Sequence, residues 1–203
     1  IEVVYQRIIT DLLEAQLLLS DTYLAVDDFT PAERVRPNKS TATAFLARVY
    51  LYHGEWANAE TQATSLINNT QYKLTGTLDS TFLKNNKEAI FQLRPVSSSR
   101  NTNEGAIFIL TSAPNISRPI ALNASLVNAF ESGDTRRTRW VNSRVVSGVT
   151  YYYPFKYKLR TGVSSNPSQP LNEYSMVLRL AEQYLIRAEA RAHQDNVAGA
   201  QQD

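Results

Sequence analysis

The sequence of 203 residues contains no cysteine. This absence excludes disulfides, thiolate metal centres and cysteine nucleophiles. Histidine is also scarce, since only His53 and His193 are present and they stand far apart in the chain. A site with several histidine ligands is therefore not expected, and we predict that the protein binds no metal.

Neither a long apolar run nor a strong net charge is present. No window approaches the roughly 20 apolar residues that a membrane-spanning helix requires. The 21 Lys and Arg residues against 19 Asp and Glu residues leave a formal charge of +2, which is too weak to indicate a nucleic-acid partner. The chain also lacks an initiator Met and ends inside a helical pattern at 198–203. Together these ends predict an internal piece of a longer protein.

What the sequence does contain is helical periodicity at both ends. Apolar residues recur every three or four positions, which predicts helices over 4–20, 39–53, 55–68 and 175–194. Asn38 or Ser40 can cap the second helix, and Gly54 can end it in a left-handed conformation. Residues 46–59 have the small and aromatic spacing of a tetratricopeptide unit, and 188–200 repeat part of it. We therefore expect two helical hairpins, the first packed against the last long helix.

The middle of the chain follows no single pattern. Residues 88–93 form a β-prone run, and 144–153 are typical of two strands joined at Ser147-Gly148. Residues 126–131 predict a short helix with Asn123 or Ser125 as its cap. We expect a mainly α fold of tetratricopeptide-like hairpins with an irregular, loop-rich middle containing short strands. The predicted organisation is one domain fragment, 1–203, with helical parts at 1–70 and 175–203 and a mixed, ligand-facing part at 71–174.

Aromatic residues of the middle are the first candidates for ligand contacts. Four aromatic residues alternate along one possible strand, and an exposed aromatic face of this kind stacks on sugar rings. They are Tyr151, Tyr153, Phe155 and Tyr157. The same stripe also fits the buried face of a strand packed on helices, and this alternative is favoured. Trp140 is the better ligand candidate, because it stands between polar neighbours.

Polar and acidic residues supply the other candidates. The loop at 97–104 offers Arg100 and Asn103, whose donors and acceptors suit sugar hydroxyls, although a mobile, solvated loop without a ligand is the favoured interpretation. Glu131 and Asp134 could form an acid/base pair for glycoside hydrolysis. Asp134 is followed by Thr135 and then by Arg136 and Arg137, so an ion pair or a turn contact is favoured over catalysis. We therefore predict no catalytic residue, and Trp140, Tyr151, Arg100 and Asn103 as ligand-binding residues.

Several strings together resemble one family. In order, type and spacing they are similar to the SusD/RagB family of outer-membrane nutrient-binding lipoproteins, and the last string is the most specific. The strings lie at 36–42, 46–51, 88–92, 126–136, 156–157 and 177–190.

The resemblance implies a largely helical scaffold whose loops build a ligand site. It also implies a surface lipoprotein that captures glycans, or other nutrients such as peptides, without catalysis and without a cofactor. Its implied partner is a SusC-like TonB-dependent outer-membrane transporter, on which it forms a lid. Contact with the membrane is implied only through a lipid anchor outside this chain.

Two other classes of function remain open at this point. The first is a tetratricopeptide-type adaptor that grips a peptide or protein in a helical groove. Only two repeat-like hairpins support it, whereas about three are needed for a stable solenoid. The second is a glycoside hydrolase, which would require two carboxylates about 5–10 Å apart across an open cleft.

Overall fold

The computed structural model describes residues 1–25, 32–96, 100–161 and 171–203. Residues 97–99 and 162–170, which belong to two loops that the sequence predicts, lie outside the described residues. Residues 97–99 are the serines of the polar loop at 97–104. The chain divides into two compact units. Unit 1 comprises 1–74, 87–92 and 176–203, and unit 2 comprises 75–86 and 93–175.

The fold is mainly α, as the sequence predicts. The elements in chain order are α1 (Glu2–Leu18), α2 (Lys39–His53), α3 (Trp56–Ile67), β1 (Ala89–Leu93), α4 (Asn103–Phe108), α5 (Ala124–Asn128), α6 (Thr135–Arg139), β2 (Val141–Val146), β3 (Val149–Pro154), β4 (Ser175–Arg179), α7 (Leu180–His193) and α8 (Val197–Gln202). In the described part of the chain no helix has both the length and the apolar character to cross a membrane.

Local signals set both ends of α2. The Thr41 N–H donates to Asn38 Oδ1 at 3.0 Å, and the Asn38 N–H donates to Thr41 Oγ1 at 3.3 Å, which satisfies two donors at the helix start. Gly54 ends the helix with φ +82°, a conformation that costs little only for glycine. The predicted bounds of this helix are confirmed, and of the two candidate caps, Asn38 and Ser40, the structure uses Asn38.

Small residues allow the helices of unit 1 to pack closely. In unit 1, α2 packs on α1 and α3, and α3 packs on α7, so the first hairpin does lie against the last long helix. Four alanines at these contacts are fully buried: Ala47, Ala59, Ala63 and Ala190. A side chain of one carbon lets helix axes approach to the short end of the usual 8–10 Å range.

The predicted helix over 175–194 is wrong at its beginning. Residues Ser175–Arg179 form strand β4, which pairs with β1, and the helix starts only at Leu180. Leu178 is fully buried, and the Leu180 N–H donates to Glu88 O at 2.9 Å. The spacing of apolar residues over 175–179 fits either a helix or a strand. The partner strand β1, which decides between the two, is far away in sequence.

Ion pairs join the helices of unit 1. Arg48 Nε lies 2.6 Å from Glu182 Oε1, and Arg191 Nε lies 2.7 Å from Glu60 Oε1. Arg187 pairs with the buried carboxylate of Asp203. The charges of α7 therefore bridge to α2, to α3 and to the end of the chain.

Unit 2 contains the short helices α4 to α6 and the β2–β3 hairpin. The hairpin turn has positive φ at both central residues, +50° at Ser147 and +79° at Gly148, which is typical of a two-residue hairpin loop. Asn123 caps α5, because its side chain accepts the Leu126 N–H at 2.8 Å. The predicted hairpin and this cap are confirmed, but β3 ends at Pro154, so Phe155 and Tyr157 do not extend the strand.

Candidate functional site

A polar pocket of about 420 Å³ lies within unit 2. This size falls within the range of small-molecule sites. Arg100 and Asn103 both line it, and Arg100 Nη1 donates to Asn103 Oδ1 at 3.4 Å. The described residues of its lining are Leu93, Arg94, Pro95, Val96, Arg100, Asn101, Thr102, Asn103 and Ser175.

Helix α4 positions one wall of the polar pocket. The Gly105 N–H donates to Thr102 Oγ1 at 3.0 Å, so Thr102 caps the helix that begins with Asn103. Gly105 is buried against the backbone of Leu159, and a Cβ at this position would lie 2.5 Å from Leu159 O. Only glycine, which has no Cβ, lets α4 approach the backbone at Leu159 this closely.

Asn101 holds the floor of the polar pocket. It is 2% exposed, and its Nδ2 donates to Thr161 O at 3.0 Å. Its Oδ1 accepts the N–H groups of Asn172 and Glu173 at 2.9 and 3.1 Å. The Asn101 side chain therefore binds three backbone groups, and these hydrogen bonds hold in place the backbone that carries the exposed pocket residues.

A buried carboxylate supports the same region. Glu173 is 1% exposed, and its carboxylate accepts the N–H groups of Lys158 and Leu159 at 2.7 and 3.0 Å. Burial raises the pKa of Glu173, while these two hydrogen bonds act in the opposite direction. The contacts bind the backbone at 158–159, against which α4 packs, and they give Glu173 a structural role.

A second pocket of about 370 Å³, here called the aromatic pocket, also lies within unit 2. Helix α4 contributes to both pockets, since Asn103 lines the first and Glu104 lines the second. Ser175 of the polar pocket donates through Oγ to Glu104 Oε2 at 3.1 Å. The aromatic pocket is lined by Phe82, Glu104, Phe108, Pro154, Lys156 and Tyr157.

Trp140 has a packing role. Its Nε1 donates to Leu78 O at 3.1 Å, and its ring meets Phe82 edge-on at 5.5 Å between centroids. The Lys156 ammonium lies 5.5 Å from the centre of the indole. Trp140 is half-buried, so it supports the Phe82 side of the aromatic pocket without lining either pocket.

Tyr151 lies on the β2–β3 hairpin opposite Arg144 and is half-buried. It is not among the residues that line the two pockets. The structure therefore brings Arg100 and Asn103 together, leaves Trp140 beside the second pocket and places Tyr151 in neither. The assignment of all four to one ligand remains a prediction.

The carboxylate pair suggested as an acid and a base has other partners. Asp134 caps α6 by accepting the Arg136 N–H at 2.8 Å, and it also pairs with the Arg136 guanidinium at 2.7 Å. The hydrogen bond from Arg136 lowers the pKa of Asp134. A carboxyl group with a lowered pKa is a poor proton donor at neutral pH. Glu131 lies with it on a shallow pocket of about 250 Å³.

Across the described ranges, no group of three or more His, Asp and Glu side chains is arranged to bind a metal ion. His53 instead lies between two carboxylates, with Nε2 2.9 Å from Glu2 and Nδ1 2.7 Å from Glu55. His193 stacks on Trp56 at 3.9 Å between ring centroids. Both histidines thus make structural contacts within unit 1.

Several pocket residues carry little sequence signal. Arg94 follows β1 directly, and Ser175 begins β4 more than 70 residues later. Phe82 lies in an irregular segment and Phe108 ends the short helix α4, and no periodicity indicates that they share a pocket. The loop composition at 97–104 could identify Arg100 and Asn103, but only the tertiary fold adds Ser175 to them.

Comparison with known proteins gives one consistent result. Residues 125–203 match the model of the SusD family. A SusD-like carbohydrate-binding protein from Bacteroides vulgatus is 22% identical, with a TM-score of 0.71 over 97% of this chain and 40% of its own. Surface glycan-binding protein A from Bacteroides uniformis is 17% identical, with a TM-score of 0.73 over 99% of this chain and 48% of its own.

A SusD superfamily protein from Bacteroides thetaiotaomicron is 20% identical, with a TM-score of 0.74 over 98% of this chain and 44% of its own. The chain thus spans less than half the length of these three structures. No curated protein matches the sequence. At these identities the structures establish a shared fold.

Proposed function

We propose that this protein binds a glycan in the polar pocket of unit 2, because residues 125–203 match the SusD family model and the chain as a whole has the fold of SusD-like proteins. Residues 125–203 match the SusD family model, which agrees with the family that the sequence strings at 126–136, 156–157 and 177–190 resemble. Two of the similar structures are named as carbohydrate- or glycan-binding proteins. This supports a glycan as the ligand class.

The observation that carries the proposal is the polar pocket itself. It combines a suitable volume with exposed side chains that donate and accept hydrogen bonds, Arg100 and Asn103, on a rigid base formed by Asn101. Sugar hydroxyls pair with such groups, and each neutral hydrogen bond contributes about 0.5–1.5 kcal/mol net. A few such contacts in an open pocket correspond to micromolar to millimolar affinity.

The binding site can be tested with one matched pair of variants. We expect Asn103→Ala to weaken glycan binding about 2- to 12-fold in calorimetric titration, because one side-chain hydrogen-bonding group is removed. Asn142→Ala is the control, since Asn142 is an exposed asparagine on β2, outside the pocket. Equal affinity of the two variants would place the site elsewhere.

Trp140 and Tyr151 remain proposed contacts for a longer glycan. The aromatic pocket shares α4 with the polar pocket, and aromatic rings stack on sugars. We expect Trp140→Ala to lower thermal stability, because the indole N–H bond to Leu78 and the contact with Phe82 are lost. A separate effect on binding would show as a larger loss for a long oligosaccharide than for a short one. Equal losses for the two lengths would argue against the stacking role.

The protein is proposed to bind without catalysis. The engagement of Asp134 by Arg136 supports this, because it removes the best candidate for a general acid. Incubation with a bound glycan should leave its chain length unchanged. If the protein shortens the glycan, and Glu131→Gln or Asp134→Asn abolishes this cleavage, the proposal is contradicted.

The last part of the proposed function is delivery of the bound glycan to a TonB-dependent transporter at the outer-membrane surface. In this proposal a lipid anchor holds the parent protein at that surface. The support for this part of the proposal is the match of residues 125–203 to the SusD family model. Affinity purification of the tagged protein from outer membranes should recover a transporter of this class. Recovery only from the soluble fraction, without a transporter, would contradict this part of the proposal.

A further inference from the structure

The aromatic pocket of unit 2 combines apolar rings with a carboxylate. Its described lining includes four residues with rings, and these are Phe82, Phe108, Pro154 and Tyr157. Glu104 is the one carboxylate among the lining residues that the structure describes. The pocket therefore offers a bound group apolar surface next to a strong hydrogen-bond acceptor.

Helix α4 places this carboxylate next to an aromatic ring. Glu104 and Phe108 stand four residues apart on α4, so their side chains lie on the same face of the helix. Glu104 is half-buried, and its Oε2 accepts the Ser175 hydroxyl at 3.1 Å. Its Oε1 has no hydrogen-bond partner in the part of the chain that the structure describes. This oxygen can accept an N–H or O–H group from a ligand.

The floor of the aromatic pocket suits a small apolar group. Phe82 and Tyr157 are only 8% and 9% exposed, and their ring centroids lie 5.0 Å apart at an angle of 59°. Rings buried this deeply leave too little open surface for a whole sugar ring to stack on. Sugar hydroxyls turned toward this floor would also lose their hydrogen bonds to water, whereas a methyl group gains from burial.

We infer that the aromatic pocket binds the acetamido group of an N-acetylhexosamine within the bound glycan. The acetamido methyl packs on the rings, and the amide N–H donates to Glu104 Oε1. This inference rests on the proposed function and adds the chemical class of its ligand. One glycan reaches both pockets, because Asn103 and Glu104 are adjacent on α4 and Ser175 of the polar pocket bonds to Glu104.

The test uses the 203-residue chain and three size-matched probes. Chitotetraose and cellotetraose differ only at C2, where the first has an acetamido group and the second a hydroxyl. The glucosamine tetramer has an ammonium group at the same position. We expect chitotetraose to bind at least about tenfold more tightly than either of the others in calorimetric titration, because a hydrogen bond to a carboxylate and a buried methyl are gained. Equal affinities, or a preference for the glucosamine tetramer, would overturn the inference.

One variant locates the preference on α4. Glu104→Ala should weaken chitotetraose binding about tenfold and leave cellotetraose binding unchanged. The matched control is Ile107→Ala, because Ile107 is an exposed residue of the same helix and is not among the described lining residues of either pocket. A preference for chitotetraose that persists in Glu104→Ala, or that Ile107→Ala removes equally, would place the acetamido group elsewhere.

A measurement on the unaltered protein covers the case in which Glu104→Ala does not fold. In saturation-transfer NMR with chitotetraose, the acetamido methyl protons should receive more saturation than the sugar-ring protons, because they lie against the rings of the pocket. Stronger saturation of the sugar-ring protons would contradict the acetamido site.

The remaining outcomes separate the inference from the proposed function. If cellotetraose binds as tightly as chitotetraose and Asn103→Ala weakens both, the proposed function stands and the acetamido site is wrong. If Glu104→Ala removes a preference for chitotetraose while Asn103→Ala has no effect, the acetamido site stands and the polar pocket is wrong. If none of the three probes binds, the inference is overturned, and a different glycan whose binding Asn103→Ala weakens would still support the proposed function.

Discussion

Gly105→Ala should destabilise the protein, because the backbone of a neighbouring segment occupies the space of the new methyl group. The added Cβ would lie 2.5 Å from Leu159 O and 3.2 Å from Thr102 Oγ1. Ordinary contacts begin at 3.4 Å, so helix α4 or the chain at Leu159 must move by about 0.9 Å. The Leu159 backbone is itself held by the Glu173 carboxylate, which makes this movement costly.

The magnitude follows from two opposing effects. Overpacking of a buried site costs about 1–3 kcal/mol. Replacing glycine by alanine inside a helix contributes up to about 1 kcal/mol in the other direction. A net loss of about 1–2 kcal/mol corresponds to a decrease of about 2–8 °C in the melting temperature of a chain of this size.

The matched control is Gly76→Ala in the same unit. Gly76 is exposed, and a Cβ at this position meets no atom within 4 Å. This substitution should leave stability unchanged or raise it by about 0.4–1 kcal/mol, because the unfolded chain loses freedom. Thermal unfolding followed by circular dichroism measures both variants. If Gly105→Ala were as stable as Gly76→Ala, the close packing of α4 on Leu159 would be wrong.

Three further predictions concern unit 1. Asn38→Ala should cost about 1–2 kcal/mol in chemical denaturation, because it removes both the cap and the side-chain bond to the Asp21 carbonyl; a smaller loss in Ser40→Ala would agree with Asn38 as the cap. The His53 ring should titrate above its ordinary pKa of 6.5 by NMR, because hydrogen bonds to Glu2 and Glu55 raise the pKa. The stabilisation of α1 by protonated His53 is therefore complete below pH 6.5 and is lost as pH rises through the raised pKa. The stabilisation by ionised Glu2, whose pKa His53 lowers, is complete above pH 4.5 and is lost as pH falls through the lowered pKa. Amide exchange in α1 should follow this window in the parent and not in His53→Gln.

The sequence by itself determined the elements whose ends depend on neighbouring residues. The bounds of α2 follow from Asn38, which caps the first turn, and from Gly54, which can adopt φ +82°. The β2–β3 hairpin follows from Ser147-Gly148 in the same way. These signals act over a few residues, so they operate before any tertiary contact forms.

Only the tertiary structure decided the features that join distant parts of the chain. Residues Ser175–Arg179 have a spacing that predicts helix, yet their backbone groups pair with β1, more than 80 residues earlier. The polar pocket needs Ser175 next to Arg100, and its base needs Asn101 bonded to Thr161 and Asn172. Sequence periodicity reports which face of an element is apolar, but it carries no information about which partner covers that face. The partner is selected by packing and hydrogen-bond satisfaction in the complete fold.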